Sequence, residues 1–213
     1  MATPRAEQKL QTRQALMQAA RTLMDSGRGF GSLSLREVSR LAGIVPTGFY
    51  RHFQDMDELG LALVTEDGET FRDTLRAVRR NEFEQGGVIE ASTKIFIRGI
   101  TEHRGQFLFL AREQYGGSKP VRQALAVLRQ GFTDDLSNDL KLMRRLPHLQ
   151  AEDLDVLADL VIKTVFATLP ELVDPPAADQ PAHLSAEAKI TEQLRFIMIG
   201  GKHWRGLSKS KDH

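Results

Sequence analysis

Cysteine is absent from all 213 residues. That excludes disulfides, thiolate metal ligands and cysteine nucleophiles, and it suits a reducing cytoplasm, the expected location. Long apolar runs are absent as well. Stretches such as Ile95-Phe96-Ile97 and Leu108-Phe109-Leu110 fall far short of the roughly 18 residues a membrane helix needs, so no membrane partner is expected. The opening stretch up to Gln14 is polar and lacks the apolar segment of a secretory signal. Two tyrosines and one tryptophan are few for a sandwich or barrel, whose strands lean on aromatic and β-branched side chains. No Gly-x-Ser-x-Gly elbow occurs. The six histidines form no His-x-His or His-x-x-x-His pair, so no metal, no cofactor and no enzymatic centre is expected. Gly27-Arg28-Gly29-Phe30-Gly31 follows a helix and lacks Gly-Lys-Ser/Thr, which makes it a connecting loop rather than a phosphate cradle. The adjacent acids Asp134 and Asp135 read as a solvated face.

What is present is helical period and an uneven charge. The net charge is +1, but residues 1–54 carry eight lysines and arginines against three acids, a net +5. The remaining 21 basic and 25 acidic residues give a net −4. A basic quarter on an acidic remainder is the footprint of a small nucleic-acid-binding head on a larger body, although charge alone does not separate this from chance. Leu10, Leu16, Ala19, Ala20 and Leu23 recur at helical spacing, so residues from about 5 to about 26 read as one helix. Ser34 and Glu37 form a capping box that starts a second helix, ended by Ala42-Gly43. Pro46 suits the first position of a third, short helix ending near His52. Acids from Asp55 to Glu58 open a long helix to about Arg80, roughly 36 Å at 1.5 Å per residue. Gly86-Gly87, Gly116-Gly117, Pro147 and Pro170 punctuate the rest. Asp174 to His183 reads as an extended proline linker. Ser185 caps a last helix to about Arg205, and a polar tail follows.

The expected fold is therefore all-α. A three-helix helix-turn-helix head spans residues 1–54, a helical ligand-binding and dimerisation body 55–205, and a tail 206–213. The informative segment is Ser34–Phe53. Leu35, Val38, Leu41, Ala42, Ile44, Phe49 and Phe53 supply an inward apolar face, and Gly43 supplies the turn between two short helices. Arg36, Thr47, Gly48, Tyr50, Arg51 and His52 then face outward, polar or small, as a surface entering a major groove must be. Gly48 leaves room for close approach, and Tyr50 and His52 can donate to phosphates.

Ala42-Gly43-Ile44-Val45-Pro46-Thr47-Gly48-Phe49-Tyr50-Arg51-His52-Phe53 resembles the core of the DNA-binding head of TetR-family repressors. Met56 departs from the pattern, standing where many members carry a lysine. The resemblance implies that Arg13, Ser34, Tyr50 and His52 contact the DNA backbone, and that Arg36, Thr47, Gly48 and Arg51 face base edges or the groove floor. Within the family, Ser32–Val38, Phe49–Phe53 and Asp57–Leu61 look like the DesT- and FabR-type group of desaturation regulators. That likeness implies a homodimer whose effector is long-chain acyl-CoA and whose partner is double-stranded operator DNA.

In the body, Phe96, Ile100, Phe107, Phe109, Leu110, Phe132, Leu136, Phe166 and Leu169 supply apolar surface that suits plain core or a ligand cavity alike. If an acyl chain binds, it lies among these side chains, with Arg112 near the coenzyme phosphates. Ile190, Leu194, Ile197, Gly201 and Trp204 step by fours and threes, and Leu154, Leu157, Val161, Thr164 and Thr168 step similarly. Two such seams from each subunit would form a four-helix dimer interface, unless they pack within the chain. Two rivals stay open. One is a repressor of efflux genes that answers lipophilic drugs. The other is a helical enzyme or lipid carrier that binds no DNA.

Overall fold

A computed structural model of the chain describes residues 4–82, 88–144, 146–173 and 185–206. Every α-helix, 3-10 turn and loop among them belongs to an all-helical fold without strands: α1 Pro4–Asp25, a 3-10 turn Phe30–Ser32, α2 Leu35–Leu41, α3 Pro46–Phe49, α4 Met56–Glu82, α5 Val88–Glu102, α6 Arg104–Glu113, α7 Lys119–Met143, α8 Ala151–Val173 and α9 Ala186–His203. The expected proline linker and most of the tail lie outside the described residues, as do Gly86 and Gly87. Pro170 sits inside the last part of α8 rather than ending it. No described helix is long and apolar enough to cross a membrane.

The chain packs as two compact units, Met1–Phe71 with His103–Ala126, and Arg72–Glu102 with Val127–His213. Packing in the first unit thus reaches beyond the expected boundary at Gln54, because α6 lies against α1. Leu16, Met17, Ala20 and Met24 of α1, Val38 of α2, Phe49, Phe53, and Leu59 and Leu63 of α4 are all buried there. The loop after α1 is more than a connector. Its Phe30 is buried edge-on to Phe109, with ring centres 5.9 Å apart, and its backbone N–H donates to Oε1 of the buried Glu113 at 2.7 Å.

This packing explains Gly60, which weakens the periodic pattern of α4. A Cβ there would lie 2.5 Å from Val121 Cγ2 and 2.8 Å from Phe30 Cε1. Alanine would add about 1 kcal/mol of helix propensity. The clash with a stiff, β-branched neighbour and a buried ring costs about 1–3 kcal/mol. Gly60→Ala is therefore expected to lower the thermal midpoint by several degrees; an equal or higher midpoint would contradict this packing.

In the second unit Phe96 and Ile100 of α5, Phe132 of α7, Phe166 and Leu169 of α8 and Ile190 of α9 are buried. Arg72 binds Asp135 at 3.0 Å and lies over the Phe132 ring. Leu146, Leu149, Leu154 and Leu157 form a cluster that takes in Leu140, Ile197 and Met198. The seam expected to join two subunits is thus largely internal. Ile190 is fully buried, Gly201 approaches Leu157 and Leu146, and Trp204, although half exposed, donates from Nε1 to Asp153 Oδ1 at 2.8 Å. Leu154, Leu157 and Thr168 are buried too. A second stripe is left exposed instead: Val156 and Leu160 on α8, and Phe196 and Ile199 on α9.

Candidate nucleic-acid interface

The site is built by backbone chemistry first. Ser34 Oγ accepts from the Glu37 N–H at 3.3 Å, and Glu37 Oε2 accepts from the Ser34 N–H at 3.0 Å, the reciprocal box that starts α2. Arg28 clamps the same carboxylate at 2.9 Å, and these hydrogen bonds hold Glu37 down at about 2. At the other end Gly43 adopts φ +71°, which a side chain resists, and Ile44 N–H closes onto Ser39 O at 2.9 Å. Val45 is extended, Pro46 opens α3, and a turn continues to His52. The regular part of α3 is therefore shorter than expected, four residues rather than a helix to His52.

Phe49 and Phe53 anchor this stub, both buried, with ring centres 5.6 Å apart. Thr47, Tyr50 and Arg51 are exposed, as is Arg36 on α2. Tyr50 stands edge-on to Phe49 at 6.0 Å and remains 63% exposed. Ser34 is exposed, but its hydroxyl is committed to Glu37. Gly48 has a packing reason: a Cβ would meet Ile44 Cγ2 at 2.7 Å, so glycine lets α3 close on the turn. Arg13 is half-buried. Its Nη1 donates to the His52 carbonyl at 2.9 Å and its guanidinium lies 4.2 Å from the Phe53 ring centre.

Between α1 and this stub lies an open cleft of about 580 Å³, lined by Arg5, Lys9, Arg51 and His52 along with Gln8, Thr12, Thr47 and the Gly43–Val45 turn. Arg5 and Lys9 were missed as site residues. The signal was present, because Arg5, Lys9 and Arg13 stand four apart on one helix face. Burial, and then the charges of Lys9, Arg13 and Arg51, lower the His52 pKa below its ordinary 6.5. Its Nδ1 is buried without a partner.

The residues expected around a ligand are divided. Phe107, Phe109, Leu110 and Arg112 belong to the first unit; Phe96, Ile100, Phe132, Leu136, Phe166 and Leu169 belong to the second. Phe107 packs on Phe71, and Phe132 on Phe166. Arg112 Nη1 donates to the Met24 carbonyl at 3.3 Å, which ties α6 to the end of α1. Among the described residues no group of three or more His, Asp or Glu side chains could hold a metal ion.

Residues 16–63 match the family described as bacterial regulatory proteins, tetR family, and residues 85–200 match a tetracyclin repressor-like C-terminal domain. Solved structures share the fold at low identity. A regulator of fatty acid degradation from Bacillus halodurans, FadR, is 12% identical over 96% of this chain and all of that one, with a TM-score of 0.71. A TetR-family regulator from Syntrophomonas wolfei is 15% identical over 89% of this chain and 94% of that one, at 0.70. AibR, solved with isovaleryl coenzyme A and operator DNA, is 17% identical over 89% and 96%, at 0.59.

Proposed function

The chain belongs to the TetR family of bacterial regulators, and on that premise we propose that it is a dimeric, non-enzymatic repressor that binds a near-palindromic operator, answers to long-chain acyl-CoA and controls genes of unsaturated fatty-acid synthesis. The observation that carries the DNA half is the α3 stub, whose Phe49 and Phe53 are sunk in the core while Thr47, Tyr50 and Arg51 stand free. Arg36, Thr47, Gly48 and Arg51 would face base edges. Tyr50 and His52, joined by Arg5 and Lys9, would face phosphates, whereas both donors of Ser34 are spent on Glu37. The basic balance of residues 1–54 supports the same face. The exposed stripe of Val156, Leu160, Phe196 and Ile199 supports a self-association face.

His52 gives this reading a pH signature. The free head disfavours the charged imidazole. A docked phosphate favours it, so binding takes up a proton and affinity rises as pH falls. Operator affinity is expected to strengthen about two- to fivefold from pH 8 to pH 6 in the wild type, and His52→Gln to flatten that dependence. An equally steep profile in the variant would remove His52 from the interface.

For the effector, the apolar side chains of the second unit, Phe96, Ile100, Phe132, Leu136, Phe166 and Leu169, suit an acyl chain. The neighbours AibR and FadR, named for isovaleryl coenzyme A and for fatty acid degradation, fit that chemistry. A ligand shifts DNA affinity only by binding two conformations unequally. Fluorescence anisotropy of an operator duplex, titrated with palmitoyl-CoA or oleoyl-CoA present, is expected to separate the two by about fivefold or more. Equal affinity with both, or a response to a lipophilic cation alone, would overturn the acyl-CoA reading and leave the repressor reading standing.

A further inference from the structure

We propose that Arg13 is a positioning residue for operator recognition rather than a phosphate contact. The inference rests on the operator reading above and assigns Arg13 a role in it through α3.

Two bonds define that role. Arg13 Nη1 donates to the carbonyl of His52, at the end of the turn that continues α3, at 2.9 Å across 39 residues of sequence. A carbonyl at a helix end has no partner within the helix, and a cation there also complements the helix dipole. The same guanidinium lies over the Phe53 ring, 4.2 Å from its centre. Phe53 packs on Phe49 at 5.6 Å, and Phe49 meets Tyr50 edge-on at 6.0 Å. A continuous line therefore runs from α1 through Arg13, Phe53 and Phe49 to Tyr50 on the exposed face.

The stub needs such a strut. Its regular helix is only four residues long, from Pro46 to Phe49, and so supplies little rigidity of its own. Base-edge readout requires side chains held within a fraction of an ångström, whereas attraction to phosphates tolerates a looser fit. Arginine suits the post because it offers a flat, always-charged fork that stacks and donates at once. Lysine carries the charge without the plane.

A positioning role, a phosphate contact and a mere contribution to folding leave different marks. A lost phosphate contact weakens all duplexes alike and reduces the slope of log affinity against log salt by about 0.9. A lost fold contribution lowers the active fraction and leaves both the slope and the operator preference unchanged. A lost strut lowers the operator preference and leaves the slope unchanged.

The test measures wild type, Arg13→Ala and Arg13→Lys against the operator duplex that wild-type protein selects from a random pool, and against a scrambled duplex of equal length, over a salt series. Circular dichroism confirms folding, and Arg13→Lys carries the test if the alanine variant does not fold. Arg13→Ala is expected to reduce the operator-to-scrambled ratio about 10- to 100-fold, with scrambled-duplex affinity and the salt slope nearly unchanged. Arg13→Lys is expected to follow alanine within about threefold, because the stack and the fixed fork are lost although the charge remains. A slope reduced by about 0.9 with the ratio preserved would overturn the proposal, as would full rescue by lysine or a ratio unchanged in both variants. If the wild type itself shows no operator preference, the operator reading fails first, before any substitution is compared.

Discussion

Phe196→Glu is expected to convert the dimer into a monomer and to weaken operator binding by at least about 100-fold. Phe196 is 81% exposed, an unusual position for a phenylalanine on a helix whose other face is packed. Ile199 beside it is half exposed, as are Val156 and Leu160 on α8. A groove of about 500 Å³ lies at the α9 part of this stripe, lined by Thr164, Phe196, Ile197 and Ile199 and edged by Glu192, Gln193 and Arg195. Gly200 has nothing within 4 Å of its would-be Cβ, so a second helix has room to approach. In a two-fold interface each residue acts twice, and one new carboxylate becomes two like charges brought out of water. The loss then reaches DNA, because two linked heads bind a two-half-site operator with an effective concentration that a lone head lacks. Light scattering would show the mass falling to the 23.9 kDa of one chain. Val127→Glu, at a residue 73% exposed on α7, is the control expected to remain dimeric. A dimeric Phe196→Glu with unchanged operator affinity would place the subunit interface elsewhere.

The second large effect concerns the interior of the head. Arg21→Met is expected to cost about 3–5 kcal/mol of stability near pH 8 and far less near pH 5. Arg21 joins α1 to α4 by binding Asp67 directly and Glu66 at 3.0 Å. The Asp67 side chain is fully buried, and its Oδ2 has no partner. Burial pushes Asp67 up to about 6 from its ordinary 3.8, against the pull of Arg21. A carboxyl raised in the folded state contributes stability that is full below the ordinary value and lost as pH rises through the folded one. Arg21 limits that loss. Without it Asp67 rises further, so variant and wild type diverge as pH increases. Denaturant titrations at several pH values read this directly. The double variant Arg21→Met/Asp67→Leu should regain most of the stability, since an apolar pair leaves no buried charge. A gap between wild type and Arg21→Met that does not change with pH would refute the pairing.

Local rules made the head legible. Ser34, Glu37, Gly43 and Pro46 each announce a helix end through their own backbone chemistry, and all four act as expected. Of the inward face read from spacing, Val38, Phe49 and Phe53 are buried, but Leu41 at the end of α2 is half exposed. Long-range partners were not legible. Arg13 and His52 stand 39 residues apart, and Phe30 and Glu113 stand 83 apart, so no periodicity links them. A guanidinium that stacks and one that faces a phosphate look alike in a sequence. The same limit governs the apolar stripes of α9. Both have helical spacing, and only the packing of Gly201 on Leu157 shows which one the core takes. The bond from Arg112 to the Met24 carbonyl, 88 residues away, has no signature in the sequence either.

The central claim is that paired α3 stubs read duplex DNA. Selection of the full-length protein against a random duplex pool tests it most directly. The account predicts an enriched inverted repeat whose half-sites lie about 34–36 Å apart along the helix, and a loss of preference at single positions when Arg36 or Arg51 becomes alanine. A pool that enriches no sequence, or preferences unmoved by either substitution, would contradict it.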